Sequence, residues 1–318
     1  MRDSTEMLND PFSDILKLTN AHSVVSGGFT ASNPWAIGFA PPNKIKYFAV
    51  AKGGCWLCIE RDPPLWIAAG EMFLLAAPRA FVMASDPTVD PVDANTLFTA
   101  NAGTLIQLGA GDEVLVIGGH VQLDTANAGL LVDVLPPLIH VRADSPQATV
   151  LQWLVEQLLR ERQAQLPGAQ VASGQLAQLM FVQLLRAYLS DAGTLPAGWL
   201  RALADPRIAP ALRLMHREPG RAWQLEELAQ SVAMSRTTFA LRFKTVAGVP
   251  PLTYLYHWRM QLAERCLRED NTPLSVLALS LGYTSESAFS TAFKRSVGLA
   301  PKRYREAARA TAAADDPA

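Results

Sequence analysis

Arg236, Thr237 and Thr238 follow directly on Ser235. The same arrangement returns where Glu286 and Ser287 follow Ser285, with Ser290 one turn later. Hydroxyl, guanidinium and carboxylate groups in the opening turns of two helices carry the donors and acceptors needed to read base edges. An α-helix fits the major groove of B-DNA and touches bases from its N-terminal part. Arg242, Lys244, Lys294, Arg295, Lys302 and Arg303 add positive charge beside them. Contacts of that kind hold phosphates, make affinity salt-dependent and carry no base information. A second chemical constellation is Cys55-Trp56-Leu57-Cys58, a C-x-x-C pair that invites redox, zinc or thiol-sensor chemistry.

The elements that must position the first group form an imperfect repeat. LAQSVAMSRTTFALRFKTVAGVPPLTY is followed by LALSLGYTSESAFSTAFKRSVGLAPKRY, with Ala229, Phe239, Phe243, Lys244, Gly248, Pro251 and Tyr254 matching Ala278, Phe289, Phe293, Lys294, Gly298, Pro301 and Tyr304. Each copy predicts two short helices joined by a tight turn, at Ala233-Met234 and at Gly282. Ser235 is a good N-cap for a helix from Arg236 to about Val246, and the second recognition helix spans about Ser285 to Val297. Phe239, Phe243, Phe289 and Phe293 face inward. A linker helix starts at Pro251, the preferred first helical position for proline, and ends near Asp270-Asn271. Two helix-turn-helix units on one rigid linker would enter successive major grooves on one face of the DNA, roughly 34 Å apart. The bland alternative is that these charges are a solvated face.

The C-x-x-C pair lies in strand-like sequence. Successive side chains of a strand point to opposite faces, so Cys55 and Cys58 should face opposite ways with Cα atoms about 10 Å apart. A disulfide needs less than about 7 Å. Buried inert thiols, a single thiol sensing an electrophile or oxidant, and a disulfide or metal pair all stay open, with Trp56 as a neighbouring effector contact. KIKYFAVA, CWLCIE, PLWIAA, EMFLLAA, RAFVMA, TLIQL and EVLVIGGHVQL predict short strands between residues 44 and 124, divided by turn signals, as in a sandwich or barrel. Trp56, Trp66, Phe73 and Phe81 are candidate cavity liners or barrel filling. No histidine lies between His22 and His120, so an imidazole metal site lacks ligands. Glu71, His120 and His140 read as structural.

Helical spacing returns from about Ser145 to Gln163 and from about Ser173 to Leu189. This pair either packs on the strands or forms a dimer interface. Asp191 to Gly198 is the expected linker, and the tail after Arg309 is expected to be disordered. Charge divides along the chain. Residues 1–192 hold 11 Lys and Arg against 18 Asp and Glu, a net of −7; the remainder holds 17 against 11, a net of +6. One half suits a polyanion and the other avoids it. The N-terminal residues lack an apolar signal core, no stretch predicts a membrane span, and the three cysteines are too few for a disulfide scaffold, so the cytoplasm is the simplest location.

Residues from about Asp205 to Arg305 resemble the DNA-binding domain of the AraC/XylS family of transcription regulators. The resemblance rests on LEELAQSVAMSRTTFALRFKTVAG, PLTYLYHWRMQLAERCL, SVLALSLGYTSESAFSTAFKRSVG and PKRYR. It implies promoter binding, usually as an activator working with RNA polymerase and controlled by a second domain. Two departures stand out. Family members often carry a basic residue two positions before each recognition-helix Phe, where this chain has Leu241 and Thr291. Gln224 stands where a Ser or Thr cap is usual. AKGGCWLCIE, LWIAAGEMFLLAAPRAFVMASDP and VIGGHVQLD…LLVDVLPPLIHV resemble the cupin-type domain of one AraC-type subgroup, implying a small β-barrel able to hold an effector.

The expectation is therefore an α+β multidomain chain. Residues 8–142 form a cupin-like barrel, 145–192 a helical dimerisation or linker pair, and 205–306 an all-α tandem helix-turn-helix domain. The expected function is a cytoplasmic, homodimeric DNA-binding regulator, without enzymatic activity or cofactor, answering to an unidentified small molecule or reactive species. The alternatives are a cupin-like metal enzyme fused to a DNA-binding domain, and a regulator whose barrel only dimerises.

Overall fold

The computed structural model describes residues 10–98, 105–124, 126–164, 166–190 and 195–314. They gather into two compact units. One joins the segment ending at Thr19 to the chain from Ala192 onward, and the other is Asn20–Asp191. In chain order the elements begin with helix α1 (Pro11–Leu18) and strands β1 (His22–Ala31), β2 (Ala36–Phe39), β3 (Ile45–Lys52), β4 (Gly54–Ile59), β5 (Leu65–Ala68), β6 (Met72–Leu75), β7 (Phe81–Ala84) and β8 (Val92–Asp93). Next come α2 (Ala94–Phe98), β9 (Leu105–Leu108), β10 (Val114–Gln122), α3 (Gly129–Val132), β11 (Leu138–Val141), α4 (Ala148–Ala164) and α5 (Ala169–Ser190). The chain closes with α6 (Trp199–Ala204), α7 (Ala209–Arg217), α8 (Leu225–Ser231), α9 (Arg236–Ala247), α10 (Pro251–Glu269), α11 (Leu274–Ser280), α12 (Glu286–Val297) and α13 (Pro301–Ala314).

The β-rich unit is a sandwich of a six-stranded sheet, β11-β6-β3-β10-β1-β9, and a five-stranded sheet, β5-β4-β7-β2-β8. The expected barrel is thus an open, cupin-like one. Hydrogen bonding stops at short edge strands, and the two sheets meet through side chains instead. Phe29, Phe48, Val50, Phe73 and Val116 from the first sheet share one core with Ile37, Cys55, Leu57, Ile67, Phe81 and Met83 from the second. The alternation along β4 buries Cys55, Leu57 and Ile59 and turns Gly54, Trp56 and Cys58 outward.

Helices α4 and α5 complete this unit, burying Leu151, Leu154, Val155 and Leu158 from one and Ala177, Met180, Phe181, Leu184 and Leu185 from the other. Gln178 ties α5 to the sheet: its Oε1 accepts from the Ser23 N–H at 2.8 Å, and its Nε2 donates to the Ala21 carbonyl at 3.0 Å. The pair is therefore packed on the strands, as the first of the two sequence readings had it.

The helical unit has two cores, one for each half of the repeat. Leu228, Ala229, Phe239 and Phe243 belong to the first, and Leu277, Ala278, Phe289 and Phe293 to the second. Helix α10 feeds both, with Leu255 in the first and Met260, Ala263 and Leu267 in the second. Residues 10–19, grouped with the barrel on sequence, belong here. Asp10 caps α1, its carboxylate accepting from the Phe12 N–H at 3.2 Å, and Phe12, Ile15, Leu16 and Leu18 are buried.

The helix α13 runs to Ala314, past the point where a disordered tail was expected, because an alanine-rich segment propagates helix well. The rest of that tail, residues 191–194 of the expected linker, and residues 1–9, on which the absence of a signal core was argued, lie outside the described residues.

Candidate nucleic-acid interface

Both predicted recognition helices form, and their caps are those the sequence announced. The Ser235 hydroxyl accepts from the Thr238 N–H at 3.2 Å, and the Ser285 hydroxyl accepts from the Ala288 N–H at 3.1 Å. Each helix is held from beneath by a buried pair of phenyl rings, with centroids 5.7 Å apart in both units. Gln224 occupies the N-cap of α8 and makes no side-chain capping bond there. The turn between α8 and α9 places Ala233 at φ 52°; its counterpart between α11 and α12 is Gly282 at φ 80°.

Arg236, Thr237, Thr238, Lys244, Glu286, Ser287, Lys294, Arg295, Lys302 and Arg303 are exposed, and Ser290 is half-buried. Arg295 also lies over the Tyr256 ring, 5.3 Å from its centroid. Arg242 is different. Its guanidinium bonds the Asp205 carboxylate at 2.7 Å and its Nε is buried, so it ties α9 to the end of α6. This ion pair competes with the reading of Arg242 as a phosphate contact. Two substitutions separate these roles. Lys244→Ala should reduce the slope of log affinity against log salt by about 0.9. Arg242→Ala should leave that slope unchanged and lower stability by about 1 kcal/mol.

The two helix-turn-helix halves of the helical unit are locked together by contacts that leave no local trace in sequence. From α10, Arg259 donates through Nε to the Pro219 carbonyl at 2.6 Å and through a terminal nitrogen to the Arg221 carbonyl at 2.8 Å. Those carbonyls flank Gly220. A Cβ on Gly220 would lie 2.3 Å from the Ser280 carbonyl oxygen, and one on Gly282 would lie 2.3 Å from the Gly220 carbonyl oxygen. The backbone before the first helix-turn-helix thus abuts the turn of the second, at an approach only glycine allows.

A polar chain runs through the base of the first unit. Asp14 of α1 and His216 of α7 are both buried, with Oδ2 and Nδ1 3.1 Å apart, and His216 Nε2 is 2.7 Å from the Tyr254 hydroxyl of α10. The Trp258 ring stacks on the imidazole at 4.0 Å. Burial pulls the His216 pKa below its ordinary value, against the pull of the Asp14 carboxylate. Burial raises the Tyr254 phenol, which stays protonated and donates to a neutral imidazole.

The cysteines of the β-rich unit are free and face opposite ways, as the strand spacing required. Burial, with Cys58 nearby, pushes the Cys55 thiol up to about 12, and burial raises Cys58 as well. Trp56 and Trp66, taken as candidate cavity liners, pair edge-to-face at 5.4 Å on the outer face of the five-stranded sheet, with Trp66 46% exposed. Register puts them there: they sit opposite one another in the β4–β5 ladder, out of phase with Cys55. Phe73 and Phe81 do fill the interior. Cys58, Phe39, Ile59, Phe81, Val82 and Pro91 line an open groove of about 560 Å³ at one end of that sheet.

Glu71 and His140, which the sequence reads as structural, meet at 2.9 Å. Burial raises the Glu71 pKa, but bonds from the Ala68 N–H, His140 and the Ala143 N–H outweigh it and hold the carboxyl below its usual range. His120 Nδ1 pairs with the Ser26 hydroxyl at 2.8 Å. Among the described residues, no group of three or more His, Cys, Asp or Glu side chains is placed to hold a metal, and no helix is long and apolar enough to cross a membrane.

Two capped helices on buried aromatic pairs, joined by one rod and attached to a cupin-like unit, define a DNA-binding regulator with a tandem helix-turn-helix. Comparison with known proteins agrees. The cupin family model matches residues 10–190 and the helix-turn-helix domain model matches residues 228–307. A putative AraC-like transcription regulator of Streptomyces lividans is 41% identical over 298 residues, spanning 93% of this chain and 98% of that protein. One from Streptomyces antibioticus is 40% identical over the same shares. The RCS-specific transcriptional activator RclR of Escherichia coli is 35% identical over 160 residues, covering 49% of this chain and 56% of that protein. The chain belongs to the AraC-type transcription regulators with an N-terminal cupin domain.

Proposed function

We propose that this regulator is an activator of promoters whose operator affinity is set by a small, largely apolar molecule held in the cupin-like unit. Arg236, Thr237, Thr238, Glu286, Ser287 and Ser290 read bases; Lys244, Lys294, Arg295, Lys302 and Arg303 hold phosphates. The observation that carries the effector reading is the groove beside Cys58. Its walls are mostly apolar, with Glu60 and Asp93 at the edge to orient a polar group, and its size suits a small organic ligand. The cupin-like unit is a non-catalytic sensor in this reading, and binding matters only insofar as affinity differs between two conformations. Exposed Val150 and Trp153 on α4 favour a homodimer formed through the helical pair. RNA polymerase is the further partner of an activator, and the cytoplasm is where its promoter lies.

A second reading, which the C-x-x-C pair invites, makes the unit a sensor of a reactive species through Cys55 or Cys58. Both thiols are held protonated, which works against it, since the thiolate is the reactive form. Operator affinity measured while candidate ligands and oxidants are titrated separates the readings. The effector reading expects a ligand to shift affinity at least about fivefold, the usual floor of allosteric coupling, in wild type and in Cys58→Ser alike. A response to oxidant that Cys58→Ser abolishes would overturn it in favour of the thiol sensor. Affinity indifferent to both would leave the unit as a dimerisation module.

A further inference from the structure

Leu241 is 68% exposed in the middle of α9, the helix that enters the groove in the reading above. At 3.6 residues per turn it lies about 160–200° around the helix from both Phe239 and Phe243, so it points directly away from the core. Its neighbours on that outward stripe are Thr237 and Lys244, both exposed. Among the described residues, Leu241 belongs to neither hydrophobic core of the helical unit. It separates a candidate base contact from a candidate phosphate contact, at the depth where a groove-bound helix meets base edges.

The repeat supplies an independent observation. The matching position of α12 is Thr291, also exposed, and its hydroxyl donates to the Ser287 carbonyl of its own helix at 3.0 Å. With its proton so engaged, the hydroxyl has no hydrogen left to donate, and the methyl stands beside it. Both recognition helices therefore present an apolar group at the same register. The one apolar feature that distinguishes base pairs in the major groove is the C5-methyl of thymine.

We propose that Leu241 and Thr291 are specificity-determining residues that read thymine methyl groups at corresponding positions of the two half-sites. A guanidinium at either place would instead select guanine through O6 and N7. This rests on the DNA-reading assignment of α9 and α12. It adds that the operator carries a thymine, or equally a 5-methylcytosine, beneath each of these side chains.

The test uses the full chain and duplexes selected by it from a random pool. Each thymine of the selected duplex is then replaced singly by deoxyuridine, which removes the methyl group and nothing else. One replacement in each half-site should weaken binding about three- to tenfold, the magnitude of one methyl removed from apolar contact. In Leu241→Ala the sensitive position of the first half-site should become insensitive, with the second half-site and the salt dependence unchanged. Leu241→Arg should select guanine at that position. Uridine sensitivity identical in wild type and Leu241→Ala, or selected sites with no thymine in common, overturns the proposal while leaving DNA recognition intact. A pool from which nothing is selected overturns both this proposal and the assignment of these helices as DNA readers.

Discussion

A Gly220→Ala variant of the full chain should fold and yet lose about a hundredfold in operator affinity. The added methyl would sit 2.3 Å from the Ser280 carbonyl oxygen. Backbone cannot step aside as a flexible side chain can, so the segment before α8 and the turn after α11 must separate. Arg259, which holds the carbonyls on either side of Gly220, resists that separation but cannot prevent it. Each helix-turn-helix keeps its own core and still binds a half-site. What is lost is simultaneous engagement, and linking two sites contributes roughly 10²–10⁴ in avidity.

Gly282→Ala should show the same loss for the reciprocal reason, with a further stability loss of about 1–2 kcal/mol from forcing alanine into left-handed backbone. Ala233→Gly is the control, because the first unit already tolerates alanine in the equivalent turn. It should be neutral in affinity and slightly more stable. Anisotropy titrations on whole and half operators, beside thermal unfolding, check all three. Affinity of Gly220→Ala within threefold of wild type would show that the glycine approach does not set the spacing of the two readers.

Asp14→Ala should destabilise the helical unit by about 3 kcal/mol, although Asp14 is distant in sequence from every helix of the repeat. Two effects compete. Removing a buried carboxylate relieves its desolvation, which is not small because Oδ1 has no hydrogen-bonding partner. Against this, the variant leaves a buried imidazole N–H without an acceptor and a void between α1 and α7. The unsatisfied donor and the void outweigh the relief. Asp14→Asn, which keeps an acceptor, should recover most of the loss.

The pH dependence follows from His216, whose native pKa lies below the unfolded value of about 6.5. The unfolded chain takes up a proton that the native chain refuses. Stability from this group is therefore complete above about pH 6.5 and falls as pH drops below it, toward the native pKa. Asp14→Ala removes the carboxylate that holds the native pKa up, so the decline continues to lower pH than in wild type. Urea titrations across that range, read by tryptophan fluorescence, check both statements. A variant as stable as wild type at neutral pH would show that α1 does not support the first helix-turn-helix.

Much of the DNA-reading surface was legible because its signals are local. Ser235 and Ser285 as caps, phenylalanines four apart, and the proline opening α10 each act within a few residues of themselves, so these helices and turns could be placed from spacing alone. The two faces of β4 were legible for the same reason. Strand β1, by contrast, went unanticipated. Its Ser, Thr and paired Gly residues give no continuous apolar run, yet it lies between β10 and β9, and that pairing is its reason for being a strand.

By itself, then, the amino-acid order determined two groove-inserting helices on a common rod, the charge that suits them to DNA, and opposite exposure for the two neighbouring cysteines. These follow from periodicity and capping, which act over single turns of chain. The tertiary structure alone decided that Arg242 turns inward to Asp205, that Asp14 crosses 202 positions to His216, and that Gly220 and Gly282 bring the two halves together. Contacts between distant residues impose no pattern on the sequence around either partner. Only packing in three dimensions determines which charge is buried, which is left for a phosphate, and how far apart the two readers stand.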